Sequence, residues 1–165
     1  MSIFIEPLNI LETTKIDAIM HQCNCFHTMG NGLALALKTK WPAVTIADKK
    51  YGERGDHKKM GTVLPVYVAG KSAVKVIFNC YSQFYFGAGR NTDYEAFYLC
   101  CESIKDKIKE FNYNKIEGHK IRVLGVPYNI GCGLGGGNWN IIYSILENVL
   151  GINDEFKVLV CKLEA

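Results

Sequence analysis

Twice in this chain a strand-like apolar run passes through a glycine-rich turn straight into a segment with helical periodicity. DAIMHQCN leads through MGNG into GLALALK, and RVLGVP leads through YNIGCGLGGGN into WNIIYSILENVL. A strand that feeds directly into a helix must cross over before the next parallel strand can pair, so these segments commit the chain to a parallel or mixed sheet with helices on both faces. The apolar runs predict strands over Ser2–Glu6, Asp17–Asn24, Gly61–Ala69, Val74–Ser82, Lys120–Pro127 and Lys157–Leu163. Helices are predicted over Gly32–Lys40, Val44–Tyr51, Thr92–Asn112 and Trp139–Leu150, the third opening at a Thr-Asp pair suited to capping. GERGDHKKMG, residues 52–61, reads as a surface connection, and no repeat or linker divides the chain.

At 165 residues and 48% hydrophobic content the chain has the size of one domain with its own core. A net charge of +3 with scattered lysines does not make the basic stripe of a dedicated nucleic-acid binder, though it leaves room for a basic pocket. MSIFIEPLNI has no signal-segment pattern and no apolar run is long enough to span a bilayer, so the expectation is a soluble cytoplasmic protein. Seven cysteines without framework spacing read as reduced thiols, with Cys100 and Cys101 on a helix.

HQCNCFH, residues 21–27, places His21, Cys23, Cys25 and His27 at every second position, which invites a metal reading. On one continuous strand these side chains would be strung out at roughly 6–7 Å intervals and could not converge on one tetrahedral ion. A buried Cys23 on a central strand is the simpler expectation, and no metal is assigned. The glycines that follow are more informative. Open α/β sheets bind ligands at the carboxyl ends of their strands, where free amides at a helix start suit an anion and glycine permits close approach. Residues 131–136, GCGLGG, match G-x-G-x-x-G, but too late in the chain for a Rossmann fingerprint, and the Lys-Ser or Lys-Thr of a P-loop is missing. A pyrophosphate held by backbone amides fits both loops better than a triphosphate with magnesium.

Together the two loops resemble those of the macrodomain family of ADP-ribose binders and hydrolases. The resemblance runs over most of the chain: LNI near the start, DAIMHQCN into MGNGLA, VIFNCYSQF, NTDYEAF and NIGCGLGGGNW. GCGL followed by small residues and Trp139 is similar to the branch containing the terminal ADP-ribose protein glycohydrolase and the ADP-ribose-1''-phosphate phosphatases. The HQCN and SQF variants resemble macrodomains of large tailed phages, which would place the protein in the host cytoplasm.

The resemblance implies a three-layer α/β/α macrodomain over residues 1–165 with a mixed, largely parallel central sheet. It puts Asn9 where the family usually has an aspartate that accepts from the adenine amino group, and the Ile10 backbone against the adenine ring; an asparagine oxygen can still accept. Asn24 falls beside the distal ribose, and Met29, Gly30, Asn31, Gly32 and Leu33 form the first loop around the diphosphate. Asn129, Ile130, Gly131, Cys132, Gly133, Leu134 and Gly135 form the second, and Tyr81, Ser82 and Gln83 border the distal ribose. The glycohydrolase branch has a lysine after the VIFN-like strand and an aspartate directly after GCGL. Here those regions carry Tyr81-Ser82-Gln83 and Gly135, so a covalent lysine mechanism is not expected.

What remains suits hydrolysis of a phosphomonoester on the distal ribose, with Asn24 and the loops holding charge and water, His27 as the acid or base, and Asp93 as the nearest acidic candidate. ADP-ribose-1''-phosphate is therefore the first substrate expected. Other ADP-ribose esters or conjugates, including O-acetyl-ADP-ribose and ADP-ribosylated protein or nucleic acid, come second, and a non-catalytic ADP-ribose reader third. No cofactor and no membrane partner are implied, and a monomer is expected. Phe84 to Asn91, with Arg90, form a candidate lid.

Overall fold

The structure is a computed structural model and describes residues 2–87, 89, 91–114 and 119–164. Six strands, β1 (Ile3–Glu6), β2 (Ala18–Cys23), β3 (Val63–Tyr67), β4 (Val76–Tyr81), β5 (Val123–Pro127) and β6 (Lys157–Cys161), form one sheet in the order β1-β6-β5-β2-β4-β3. All neighbours pair parallel except β3, which runs antiparallel to β4 at one edge. The mixed, largely parallel sheet is the one the strand-to-helix segments demand.

Alternation along the strands divides the core. Ala18 and Met20 of β2 and Val76, Phe78 and Cys80 of β4 face one side. There they pack on α3 (Tyr94–Asn114), through Phe97, Cys100, Cys101, Ile104 and Ile108, and on α4 (Trp139–Ile145). Ile19 and Cys23 of β2, with Ile77 and Tyr81 of β4, face α1 (Gly32–Lys40) and α2 (Ala43–Lys50), through Leu37, Trp41 and Val44. Each large aliphatic side chain buried in these layers contributes about 1.5–3 kcal/mol. The start of β5 is tied to β2 by the Asp17 carboxylate, whose Oδ2 accepts from Arg122 N at 2.8 Å and Val123 N at 2.9 Å. Gly125 of β5 is fixed by packing, since a Cβ there would lie 2.7 Å from Ile16 Cδ1.

Three details depart from the sequence expectation. The strand expected over Asp17–Asn24 stops at Cys23, so Cys25 and His27 leave the two-residue alternation that made HQCNCFH look like a row of ligands. The last helix does not remain α-helical: Leu146–Leu150 form a π-turn in which Gly151 N donates to Leu146 O at 2.8 Å. The connection at residues 52–61 contains a 3-10 turn, His57–Lys59, with Asp56 accepting from Lys58 N, and this turn carries the Lys59 side chain inward to 3% exposure. None of the helices among the described residues is long and apolar enough to cross a membrane.

Candidate functional site

A cleft of about 1160 Å³ opens at the carboxyl ends of β2 and β5, where an open α/β sheet offers its ligand crevice. Gln22, Cys23 and Asn24 form its base, Thr28 to Ala34 one wall, and Pro127 to Ile130 with Gly131 and Gly133 to Gly136 the other. Gln83, Phe86, Gly87 and Gly89 complete the rim. No Asp, Glu, Lys or Arg stands among these described lining residues. The histidine lining the cleft, His21, is buried at 2% exposure, and burial pushes its pKa down to about 4 against a smaller opposing effect of its bond to Asn79. Its Nε2 lies 2.6 Å from Asn79 Oδ1, while Asn79 Nδ2 donates to Val44 O. The acceptor at Asn79 fixes the proton on His21 Nε2 and leaves Nδ1 as a lone pair.

The glycines of the two loops are glycines for different reasons. A Cβ at Gly135 would lie 2.6 Å from Thr92 Oγ1 and 2.7 Å from Gln22 Nε2, so packing forbids a side chain there. At Gly30 and Gly133 the backbone is not left-handed, and a Cβ would find nothing within 4 Å. Neither backbone conformation nor packing requires glycine at those two positions, which open onto the cleft. Each loop also holds one non-glycine residue with left-handed backbone, His27 (φ 58°) and Asn129 (φ 62°). Such conformations cost about 1–3 kcal/mol and concentrate at ligand clamps.

The first loop is built around Asn24. Its Nδ2 donates to Thr28 Oγ1 at 2.7 Å and Thr28 O at 3.1 Å, and its Oδ1 accepts from Phe26 N at 2.8 Å. The amide is thus occupied with folding the turn while its residue still faces the cleft. Phe26 in turn meets the edges of Phe84, Tyr85 and Phe86, which fastens the rim segment to the first loop.

No family model matches the chain. It is 37% identical over 129 residues, 78% of its own length and 77% of the other's, to the uncharacterized 17.5 kDa protein in the tk-vs intergenic region of Enterobacteria phage T4. Among solved structures, the macrodomain of Mycobacterium tuberculosis DarG superposes with a TM-score of 0.80 at 21% identity, covering 99% of this chain and 98% of that one. Thermosipho africanus DarTG, solved in complex with ADP-ribose, superposes with a TM-score of 0.63 at 20% identity over 89% of this chain and 38% of that one. The chain has the macrodomain fold and belongs to the family of the phage T4 protein.

Of the site residues expected in this macrodomain, Asn24, Met29 to Leu33, Gln83, Asn129, Ile130, Gly131, Gly133, Leu134 and Gly135 line the cleft together. Cys132 belongs to the second loop but is not among the lining residues. Tyr81 and Ser82 are fully buried: the Tyr81 hydroxyl donates to Asp48 Oδ1 at 2.7 Å, and the Ser82 hydroxyl to Gln22 Oε1 at 2.7 Å. Asn9 is exposed and its Oδ1 accepts from Leu11 N, while Ile10 packs in the core; neither lines the cleft. His27 points to Lys59, and Asp93 caps α3 by accepting from Ala96 N at 2.9 Å, so neither candidate acid or base lines the cleft. Arg90 lies outside the described residues.

Sequence reasoning passed over Gln22, Thr28, Ala34, Pro127 and Tyr128, which also line the macrodomain cleft, as does Phe86 of the candidate lid segment. Gln22 had a visible signal: it is the polar residue on the α3 side of a strand whose other residues on that side are Ala18 and Met20.

Proposed function

We propose that this macrodomain binds ADP-ribose or an ADP-ribose derivative, with the diphosphate between the two glycine loops, and that binding is its principal act. One observation carries this reading: Gly30 and Gly133, on the two walls of a single cleft at the strand ends, each leave open space that the protein itself does not need. Backbone amides can meet a diphosphate there without a metal or a basic side chain. The ADP-ribose in the Thermosipho africanus DarTG structure supports the choice of ligand.

Hydrolysis of ADP-ribose-1''-phosphate, ranked first from sequence, is the finer reading and has less support. Phosphate release needs a proton donor for the leaving oxygen and a group to orient water. The expected donor, His27, is engaged with Lys59, and the described lining residues offer no carboxylate or ammonium group. The same restriction weighs on removal of acyl groups, protein or nucleic acid from the distal ribose.

Calorimetric titration with ADP-ribose and with AMP tests the binding. Single-site binding of ADP-ribose and much weaker binding of AMP are expected, and no heat with ADP-ribose would overturn the reading. Phosphate release from ADP-ribose-1''-phosphate is expected at background, and turnover well above it would restore the enzyme.

A further inference from the structure

The Gln22 side chain, which lines the cleft, makes three hydrogen bonds, each to a different residue. Its Oε1 accepts from the Ser82 hydroxyl at 2.7 Å, and its Nε2 donates to Gln83 Oε1 and to Thr92 Oγ1, both at 2.9 Å. Each partner carries the connection onward. Thr92 Oγ1 donates to Gly131 O at 2.6 Å, and Gln83 Nε2 donates to Tyr85 O at 2.7 Å. Thr92 is 2% exposed and Ser82 fully buried, which shields the bonds of these two hydroxyls from water, while the Gln83–Tyr85 bond is exposed. The backbone closes the same circuit: Asn91 N and Thr92 N donate to Gly135 O, and Gly137 N to Gly131 O, at 2.8–3.0 Å.

We infer that Gln22 is a positioning residue that sets the distance between the second glycine loop and the rim segment, and through it the selectivity for the distal half of the ligand. The residue joins four stretches that are far apart in sequence: the end of β2, the exit of β4, the approach to α3 and the loop of residues 129–137. Without its amide, Thr92 keeps Gly131 but loses its anchor to the sheet, and Gln83 loses the bond that turns it along the rim. Gly131 and Gly135 have no room for a side chain because this amide and the Thr92 hydroxyl already occupy the space. Nothing in the circuit carries a charge, so its effect is geometric.

The inference rests on the ADP-ribose reading for its ligand but not for its structural part, and two measurements separate them. Gln22→Met keeps the length of the side chain and removes all three bonds. Amide hydrogen exchange at Asn91, Thr92 and Gly137 should then accelerate at least about tenfold while the amides of β2 and β4 stay protected. Titration should show ADP-ribose weakened by about tenfold or more and AMP within about twofold of wild type. Thr92→Ser, which keeps the hydroxyl, should preserve both readouts, and Thr92→Val should reproduce Gln22→Met. Unchanged exchange in Gln22→Met would overturn the inference, as would equal weakening of the two ligands. If the wild-type protein binds no ADP-ribose, it is the functional reading that fails, and the exchange data alone decide whether Gln22 holds the loop.

Discussion

The imidazole Nε2 of His27 lies 2.8 Å from the Nζ of Lys59, and Lys59 is buried to 3% exposure. The Lys59 side chain donates to this imidazole nitrogen, which also lies 3.4 Å from Tyr51 O. The other hydrogen-bond partner of the Lys59 Nζ is Cys25 O at 3.3 Å. His27 therefore works for the folded state, by partnering the buried Lys59 side chain under the first loop.

Replacing His27 by Ala should destabilise the protein by about 1–3 kcal/mol, because Lys59 keeps its burial and loses a partner. Affinity for ADP-ribose should stay within about threefold of wild type, a change of less than about 1 kcal/mol. Urea unfolding and calorimetry on the same preparation check both halves. A large loss of affinity at unchanged stability would return His27 to the ligand.

Asn24→Ala should lower both quantities. The amide holds Thr28 and Phe26 N in the turn, and its loss should cost about 1–3 kcal/mol of stability and free the wall that includes Met29 and Gly30. Thr28→Val, which removes the hydroxyl partner alone, should give a smaller loss in the same direction. If Thr28→Val leaves affinity untouched while Asn24→Ala abolishes it, Asn24 meets the ligand directly and its hold on the loop is secondary.

The loop glycines should separate into two kinds. Gly135→Ala places a methyl group 2.6 Å from Thr92 Oγ1 and should lower the melting temperature. Gly133→Ala and Gly30→Ala meet no neighbour and should melt close to wild type while binding ADP-ribose less well. Differential scanning calorimetry with and without ligand distinguishes the kinds, and a destabilised Gly133→Ala would contradict the reading of open space.

His21 predicts how stability changes with acid. Burial holds its folded pKa at about 4, below the ordinary 6.5, so between those values the unfolded chain binds the proton and the folded chain does not. Stability is complete above pH 6.5 and falls as pH drops toward 4, by about 3 kcal/mol in all. Asp48, whose pKa burial raises despite the opposing bond from Tyr81, acts in the opposite sense. The difference between the wild-type curve and that of His21→Gln isolates the histidine, and a flat difference between those two pH values would contradict its assignment.

The sheet and the cleft at its strand ends were legible because they depend on local patterns. β2 and β5 announce themselves as apolar runs, and the glycines that follow them stand where a parallel strand must turn into a helix. Residues whose roles depend on distant partners were not legible in this way. Nothing near His27 in sequence points to Lys59, which reaches it only because a 3-10 turn at His57–Lys59 folds inward from what reads as a polar surface connection. Asp93 was readable as a cap from its place before a helix, and it is one. Tyr81 and Ser82 stand at the end of a central strand, where side chains turn alternately to the two packed faces, and their burial follows from sheet geometry. The circuit through Gln22 joins residues 22, 82, 83, 92 and 131, and only the sheet order brings them together.

A cleft without a carboxylate, ammonium or guanidinium among its described lining residues, and with its histidine kept neutral by burial, offers the same electrical surface to a ligand throughout the neutral range. A step in affinity near neutrality does not then come from a carboxylate, an ammonium group or His21 among those lining residues, and the ligand is its expected source. A bare diphosphate bridge carries the same charge throughout that range, whereas a terminal phosphomonoester gains charge around pH 6. The chemistry of the molecule it prefers is therefore written in the titration curve of the complex.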